Sequence, residues 1–215
     1  MLLNLSKHQQ QYDEWGFTVL PVIPPDVAEL WAKSLVYAFD VERLGRRIDV
    51  QDERGEVGDG IGGRLFYDLI DGVECESIVP TMVDAYRIMP ALLSTVTRQD
   101  VIVSPYPRSK VCGKRYPAHG GQQGWHFDTN GITVVAYLST NVDGATRVRP
   151  LNGGGIEVDI FPVAGSILLM QGRNVWHRGG TVEAADKVIS PWNYYVEGDT
   201  ERPEGLDEQI YGPPA

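Results

Sequence analysis

From Leu5 to Glu14 the chain is polar and helix-compatible, and Trp15, Gly16, Phe17, Thr18, Val19 and Leu20 then read as a turn into a short strand. Pro24, Pro25 and Asp26 open a second helix, where Val27, Leu30, Trp31, Leu35 and Ala38 recur at three- and four-residue spacing up to Phe39. Such a face needs a larger apolar surface to cover, and a sheet is the expected support. Residues 45 to 63 are dense in charge and glycine and read as a mobile loop rather than a core element. A third helix is expected from Thr81 to Thr97, with Pro90 as a kink or break.

After Val101 the pattern changes to short runs rich in β-branched and aromatic residues: VIVS, ITVVAYL at 132 to 138, IEVDIF at 156 to 161, SILLM at 166 to 170, KVIS and WNYYV. Ile156, Val158 and Ile160 alternate with Glu157 and Asp159, the period of a half-exposed strand. The stretch from Glu197 to Ala215 is acidic and contains proline, which suits a flexible extension or an edge-covering strap. Helices first and strands behind them predict one domain over 1–215: a mainly helical part to residue 100, a β-sandwich or jelly-roll core over 101–196, and the acidic tail.

Composition narrows the function classes. With 19 basic and 29 acidic side chains in 215 residues the net charge is −10, which disfavours nucleic acid and anionic membrane as partners. Glycine and proline number 24 and 14, above the roughly 12% of average usage, which favours turns and short strands over a helical bundle. Cys75 and Cys112 fit neither a disulfide framework nor a zinc pattern, and MLLNLSKHQQQ lacks the apolar run of a signal peptide. The expectation is a cytoplasmic protein, monomeric or homodimeric, with no membrane span.

Two of the four histidines stand in suggestive places: Trp125-His126-Phe127-Asp128, and Val175-Trp176-His177. On a strand, side chains two apart leave the same face, so His126 and Asp128 can converge on one metal while Phe127 turns away. The 49 residues from Asp128 to His177 hold about four strands with their turns, enough to bring the chain back beside the first pair. Two imidazoles and a carboxylate on one face of an octahedron leave positions open, as in non-haem Fe(II) oxygenases and unlike a closed zinc site. An isolated His-x-Asp triplet also arises by chance, and a histidine beside tryptophan is commonly a hydrogen-bonded core residue.

Over roughly residues 100 to 196 the sequence resembles the Fe(II)- and 2-oxoglutarate-dependent oxygenases, in particular the prolyl-4-hydroxylase-like branch. Arg115-Tyr116 precedes the HFD triplet as in the family's RY…HxD segment. ITVVAYLS follows it, IEVDIFPVAGSILLM matches the next strand pair, and WHRGGTVEAADKVISPW matches the distal histidine with a basic residue beyond it. YDEWGFTVLPVIPPDVAEL also looks like the helix, strand and helix that open many small-molecule members.

The resemblance implies a double-stranded β-helix (jelly roll, cupin-like) with N-terminal helices. It makes His126, Asp128 and His177 the iron ligands, with 2-oxoglutarate and O2 as cosubstrates. It makes Lys187 the partner of the far 2-oxoglutarate carboxylate, assisted by hydroxyls of Tyr137 and Ser190, with Tyr116 nearer the metal. Most of the superfamily has arginine where Lys187 stands, and Arg178 competes for the role, although on a strand it points away from the face of His177. The carboxylate of Asp128 excludes the halogenases of the superfamily, so hydroxylation or a related oxidation is implied. Asn130 and Thr129 are candidates to orient the ligands.

Gly153-Gly154-Gly155 precedes a strand rather than a helix and is a turn, not a phosphate loop. His8 and His119 read as surface residues, Cys75 and Cys112 as inert thiols, and Trp125 and Trp176 as packing. Substrate contacts are expected from Arg64, Tyr67, Asn130 and Trp192. The 45–72 segment, with Arg54 and Phe66, and the segment of Arg98 are candidates for a lid whose arginines suit a carboxylate, against a solvated loop. The expected function is oxidation of a small molecule such as an amino acid or biosynthetic intermediate. The rivals are a prolyl hydroxylase acting on a peptide and a non-catalytic metal- or ligand-binding jelly roll.

Overall fold

The computed structural model describes residues 4–52 and 63–213. Helix α1 (Leu5–Trp15) starts where the Asn4 side chain accepts the Lys7 amide, and ends at Gly16 with φ of +78°, which glycine adopts without strain. Strand β1 (Phe17–Pro21) follows, then α2 (Pro25–Tyr37), whose proline occupies the first turn where no amide donor is needed. A π-helical turn, Ala38–Glu42, extends α2. Its covered face is Ala28, Trp31, Ala32 and Leu35, while Leu30, expected on that face, points to water.

The expected third helix is two, α4 (Pro80–Ile88) and α5 (Pro90–Thr97), because each proline is tolerated only in a first turn. Ahead of them lies α3 (Gly72–Ile78), which the sequence reading had not separated. Its start is a capping box in which Asp71 accepts the Val73 and Glu74 amides and Glu74 reaches back to the Asp71 amide.

The 45–63 segment is not simply a loop. Its first part forms β2 (Arg46–Asp52), and β3 (Gly63–Ile70) begins at its end, the two paired antiparallel from Arg46–Leu69 to Asp52–Gly63. Leu65, Tyr67 and Leu69 alternate inward and are buried. Arg54 and the rest of the 53–62 stretch of the expected lid lie outside the described residues.

The remaining strands are β4 (Val101–Val103), β5 (Gly113–Tyr116), β6 (Gly121–His126), β7 (Ile132–Tyr137), β8 (Thr146–Val148), β9 (Val158–Ile160), β10 (Ser166–Gln171), β11 (His177–Val182) and β12 (Lys187–Val196). KVIS and WNYYV are thus one strand. All pairings are antiparallel. The larger layer runs β1-β10-β7-β12-β5-β3, with β2 on β3 and β4 on β12; the smaller runs β6-β11-β8-β9, joined to the first through Phe66 and Gln122. The curled sheet is a jelly roll with flanking helices. In β9 only Ile160 is buried; Ile156 lies before the strand and is exposed, so the expected alternation holds over a shorter stretch.

Alternation divides each central strand between two cores. Ile132, Val134 and Ala136 of β7 and Val188, Trp192 and Tyr194 of β12 pack outward against Trp31, Leu35, Met82 and Tyr86 of the helices. Val135, Tyr137 and Ile189 face inward with Tyr67, Tyr116, Leu168 and Met170. The C-terminal segment is a strap: after a turn it forms α6 (Leu206–Tyr211), with Leu206 buried. Arg108 ties it down by donating to the Tyr211 and Gly212 carbonyls while holding Asp71. Among the described residues no helix is long and apolar enough to cross a membrane.

Arg115, the first residue of the RY pair, faces away from Tyr116 and meets Asp68 at 2.7–2.8 Å and Asp40 at 2.6 Å; Asp68 also takes a two-pronged bond from Arg47. Burial pushes the Asp68 carboxyl up, but the two arginines outweigh it and hold it below its ordinary value. This cluster fastens β5 to β3. Asp68→Ala leaves a buried guanidinium with only the exposed Asp40 at 2.6 Å and Asp186 at 3.8 Å, and removal of one member of such a cluster costs about 3–5 kcal/mol. Melting is expected to fall by roughly 10 °C in this size of chain; a fall of a degree or two in a thermal unfolding scan would show the cluster to be a surface ornament.

Candidate metal centre and its two chambers

His126 closes β6 and His177 opens β11, and the two are direct partners in the antiparallel register. Their rings lie 4.2 Å apart between centroids. Asp128 sits two residues past the end of β6, its amide donating to the Gly172 carbonyl at 2.9 Å. Gly172 has no space for a side chain: a Cβ there would stand 2.5 Å from the Asn130 carbonyl and 2.6 Å from Thr133 Oγ1. The three side chains converge, with Asp128 carboxylate oxygens 3.7 Å from His126 Nε2 and 3.6 Å from His177 Nε2. All three ligand atoms lie within 4.8 Å of one another.

Backbone carbonyls fix the tautomers. His126 Nδ1 bonds the Gly124 carbonyl at 2.8 Å and His177 Nδ1 the Val175 carbonyl at 3.0 Å, which puts the protons there and turns both Nε2 lone pairs inward. Burial, together with the adjacent His177 imidazole, pushes His126 down to about 3, so it is neutral and ready to ligate. Burial opposes the charge of Asp128, yet the neighbouring imidazoles and the Thr133 hydroxyl, donating at 2.6 Å, hold its carboxyl below the usual range. Asn130 in turn donates to Thr133 Oγ1 and to the Ile132 carbonyl. Thr133, which the sequence reading missed, therefore orients the carboxylate, and Asn130 holds Thr133.

The same parity that splits the cores builds a chamber behind the triad. In β12, Lys187, Ile189, Pro191 and Asn193 share one face; Ile189, Pro191 and Asn193 stand opposite Tyr137, Val135 and Thr133 of β7, and Lys187 and Ile189 opposite Tyr116 and Lys114 of β5. These residues other than Tyr137, with Gly179, line a cavity that runs from His126, Asp128 and His177 to Lys187; Tyr137 is buried opposite Ile189. Lys187 is buried, donates to the Gly144 carbonyl at 2.7 Å and stands 4.2 Å from the Tyr116 ring centroid. Burial lowers its pKa to about 7. It has no carboxylate within 4.0 Å among the described residues. The buried Tyr137 hydroxyl is directed toward Thr146, short of a well-formed hydrogen bond.

Ser190 and Trp192 have the other parity and leave the site. Ser190 Oγ donates to the Cys112 carbonyl and accepts the Trp192 indole N–H, and Trp192 is wholly buried against Tyr86 on the helix side. Arg178 also stays outside, its guanidinium over the Trp125 ring. Arg64 is exposed, forked onto Asp49 and stacked on Phe66, and Arg98 pairs with Asp13 on α1, so neither reaches the triad. Tyr67 and Asn130 do border it.

In front of the triad a second cavity with about 700 Å³ of empty space, including its open mouth, is walled by Tyr67, Phe127, Tyr195 and Asn193 and roofed by Leu206, Ile210 and Tyr211 of the strap. Lys114 and Gln123 border both chambers. Gln123 Oε1 accepts from Tyr116 Oη at 2.8 Å and Lys114 Nζ at 3.1 Å, and its Nε2 lies 3.0 Å from His126 Nε2. Burial alone would lower the Lys114 pKa; Tyr67, Tyr116 and Asp128 around it raise it instead.

No protein-family model matches the chain and no curated protein matches its sequence. Solved structures do. AviO1 from Streptomyces viridochromogenes Tue57 superposes with a TM-score of 0.71 at 15% identity, over 94% of this chain and 100% of that one. The epimerase SnoN in complex with Fe3+, alpha ketoglutarate and nogalamycin RO gives 0.67 at 14% identity, over 94% and 89%. A Pseudomonas putida prolyl-4-hydroxylase gives 0.56 at 16% identity, over 89% and 98%. The shared property at these identities is the fold, that of the 2-oxoglutarate-dependent oxygenases.

Proposed function

We propose that the chain is a non-haem Fe(II)- and 2-oxoglutarate-dependent oxygenase that oxidises a small molecule, by hydroxylation or a related reaction. One observation carries the reading: two Nε2 lone pairs and a carboxylate converge where a chamber lined by a buried lysine, which has no carboxylate partner among the described residues, meets a second chamber. His126, Asp128 and His177 would hold the iron, leaving half of its coordination sphere free. The deep chamber fits 2-oxoglutarate. Its ammonium has one carbonyl partner and lies on the same inward face as a tyrosine hydroxyl with none, and a carboxylate placed between them would satisfy both.

The bound group would supply dioxygen activation, driven by conversion of 2-oxoglutarate to succinate and carbon dioxide and directed at a substrate bond. The chain's own part is placement and protection. Lys187 and Tyr137 anchor the far carboxylate, Val135 and Ile189 exclude water along its length, and Thr133 keeps Asp128 turned to the metal. The roof of Leu206, Ile210 and Tyr211 over the front cavity suits a small molecule better than a peptide strand. The likeness of fold to an enzyme crystallised with iron and alpha ketoglutarate supports the same assignment.

Anaerobic titration of Fe(II) and 2-oxoglutarate into the metal-free protein tests this. A weak visible charge-transfer band is expected only when both are present, and it is expected to be lost in His177→Ala. A folded, iron-loaded protein that shows no band would instead be a metal-binding jelly roll without this chemistry.

A further inference from the structure

Lys114 is a cation without a counter-ion at the boundary of the two chambers. Among the described residues no carboxylate lies within 4.0 Å of its Nζ, and its partners are Gln123 Oε1 at 3.1 Å and the face of Tyr67, 4.6 Å from the ring centroid. An ammonium has three donors to place. The other cation of the front chamber, Arg202, is already matched, with Asp207 at 2.7 Å and the Ser109 hydroxyl at 2.7 Å. Arg108 and Arg173 near the strap are paired with Asp71 and Asp199.

We propose that Lys114 selects the substrate by pairing with a carboxylate on a small molecule whose remaining body is aromatic or apolar. This rests on the oxygenase reading above. In that reading Lys187 takes the far carboxylate of 2-oxoglutarate and the triad takes the near end, so the cosubstrate leaves Lys114 unmatched. A divalent ion, the Asp128 carboxylate, two ammonium groups and a doubly charged cosubstrate sum to one surplus positive charge. In a buried site that surplus is costly, and a single carboxylate cancels it. The walls agree with such a ligand: Tyr67, Phe127, Tyr195 and Tyr211 offer ring faces and edges, while Leu206 and Ile210 close the roof.

The test uses 3-phenylpropionate and its neutral amide, titrated anaerobically into the full chain loaded with Fe(II) and saturating 2-oxoglutarate, with the shift of the visible band as readout. Saturation fills the deep chamber, so only the front one is probed. The acid is expected to bind at least tenfold more tightly than the amide. That ratio is expected to fall to about one in Lys114→Met and to persist in Lys114→Arg, with the band still formed in both at saturating Fe(II) and 2-oxoglutarate. The intact band shows that each variant is folded and holds iron and cosubstrate. Acid and amide behaving alike in the natural protein, including neither binding, would overturn the proposal, as would an acid preference that survives Lys114→Met. Loss of the band in Lys114→Met would assign the lysine to 2-oxoglutarate instead. Absence of the band in the natural protein is a separate result: it overturns the oxygenase reading and this proposal with it.

Discussion

Asp128→Ala is expected to abolish metal binding and turnover together while costing the metal-free protein only a modest part of its stability. The two halves have different causes. Loss of one of three ligands, and the only charged one, removes more than the 10–100-fold in affinity typical of losing an outer partner of a ligand. Against stability, the change strips the Thr133 hydroxyl of an acceptor, worth about 1 kcal/mol, and removes a carboxylate that the imidazoles and Thr133 hold below its usual range despite its burial. The loss is modest beside the loss of a metal ligand. Thermal scans with and without Mn(II) or Ni(II) make the comparison: the natural protein is expected to rise in melting temperature with metal and the variant to stay flat. A metal-induced rise of equal size in both would remove Asp128 from the ligand set.

The second large effect concerns Lys187. Burial and the nearby Lys114 charge depress its pKa to about 7, against the pull of Asp143, so near neutrality it is only partly charged. A dianion in the deep chamber needs the ammonium. Above pH 7 the binding of 2-oxoglutarate is therefore expected to take up a proton, and its affinity to weaken by up to about tenfold per pH unit. Calorimetry in two buffers of different ionisation enthalpy reads the uptake directly, and a flat affinity with no uptake between pH 7 and 9 would move the role to another cation. Lys187→Met is expected to cost about a hundredfold or more in 2-oxoglutarate affinity with metal binding intact. The same depressed pKa has a converse in the ligand-free protein. The unfolded chain carries this proton up to about pH 10.4 and the folded one does not, so this group makes folding more favourable as pH rises from 7 toward 10.4.

Order and spacing of motifs made much of the site legible: His126, Asp128, His177, Lys187, Tyr116 and Tyr137 all stand where one inward face of the barrel gathers them. Parity explains the misplacements. Ser190 and Trp192 lie three and five residues after Lys187, an odd separation that turns them to the opposite face, and nearness in sequence concealed it. The same rule run backwards from Tyr116 leads to Lys114, two residues earlier, which the sequence reading did not single out. Composition misled at residues 45–63, where charge and glycine concealed β2, a strand with Ile48 buried that pairs with the inward-alternating Leu65, Tyr67 and Leu69 of β3. The arginines expected to meet a carboxylate had local acids to pair with, Asp49 for Arg64 and Asp13 for Arg98, contacts that only tertiary structure creates. For the acidic tail, composition left the choice open between extension and strap; the docking of Leu206 and the grip of Arg108 on two terminal carbonyls decide it.

The two faces of β12 separate two kinds of mutational risk. Val188, Ser190, Trp192 and Tyr194 answer to the helices and the outer core, so changes there are felt as lost folding whatever the chemistry inside. Ile189, Pro191 and Asn193 answer to whatever occupies the chambers, with Lys187 at their far end. Selection can therefore rewrite the inner set, one residue in two, to accept a new molecule without renegotiating the outer one. A scaffold built this way can drift widely in sequence and in chemistry while its shape stays recognisable.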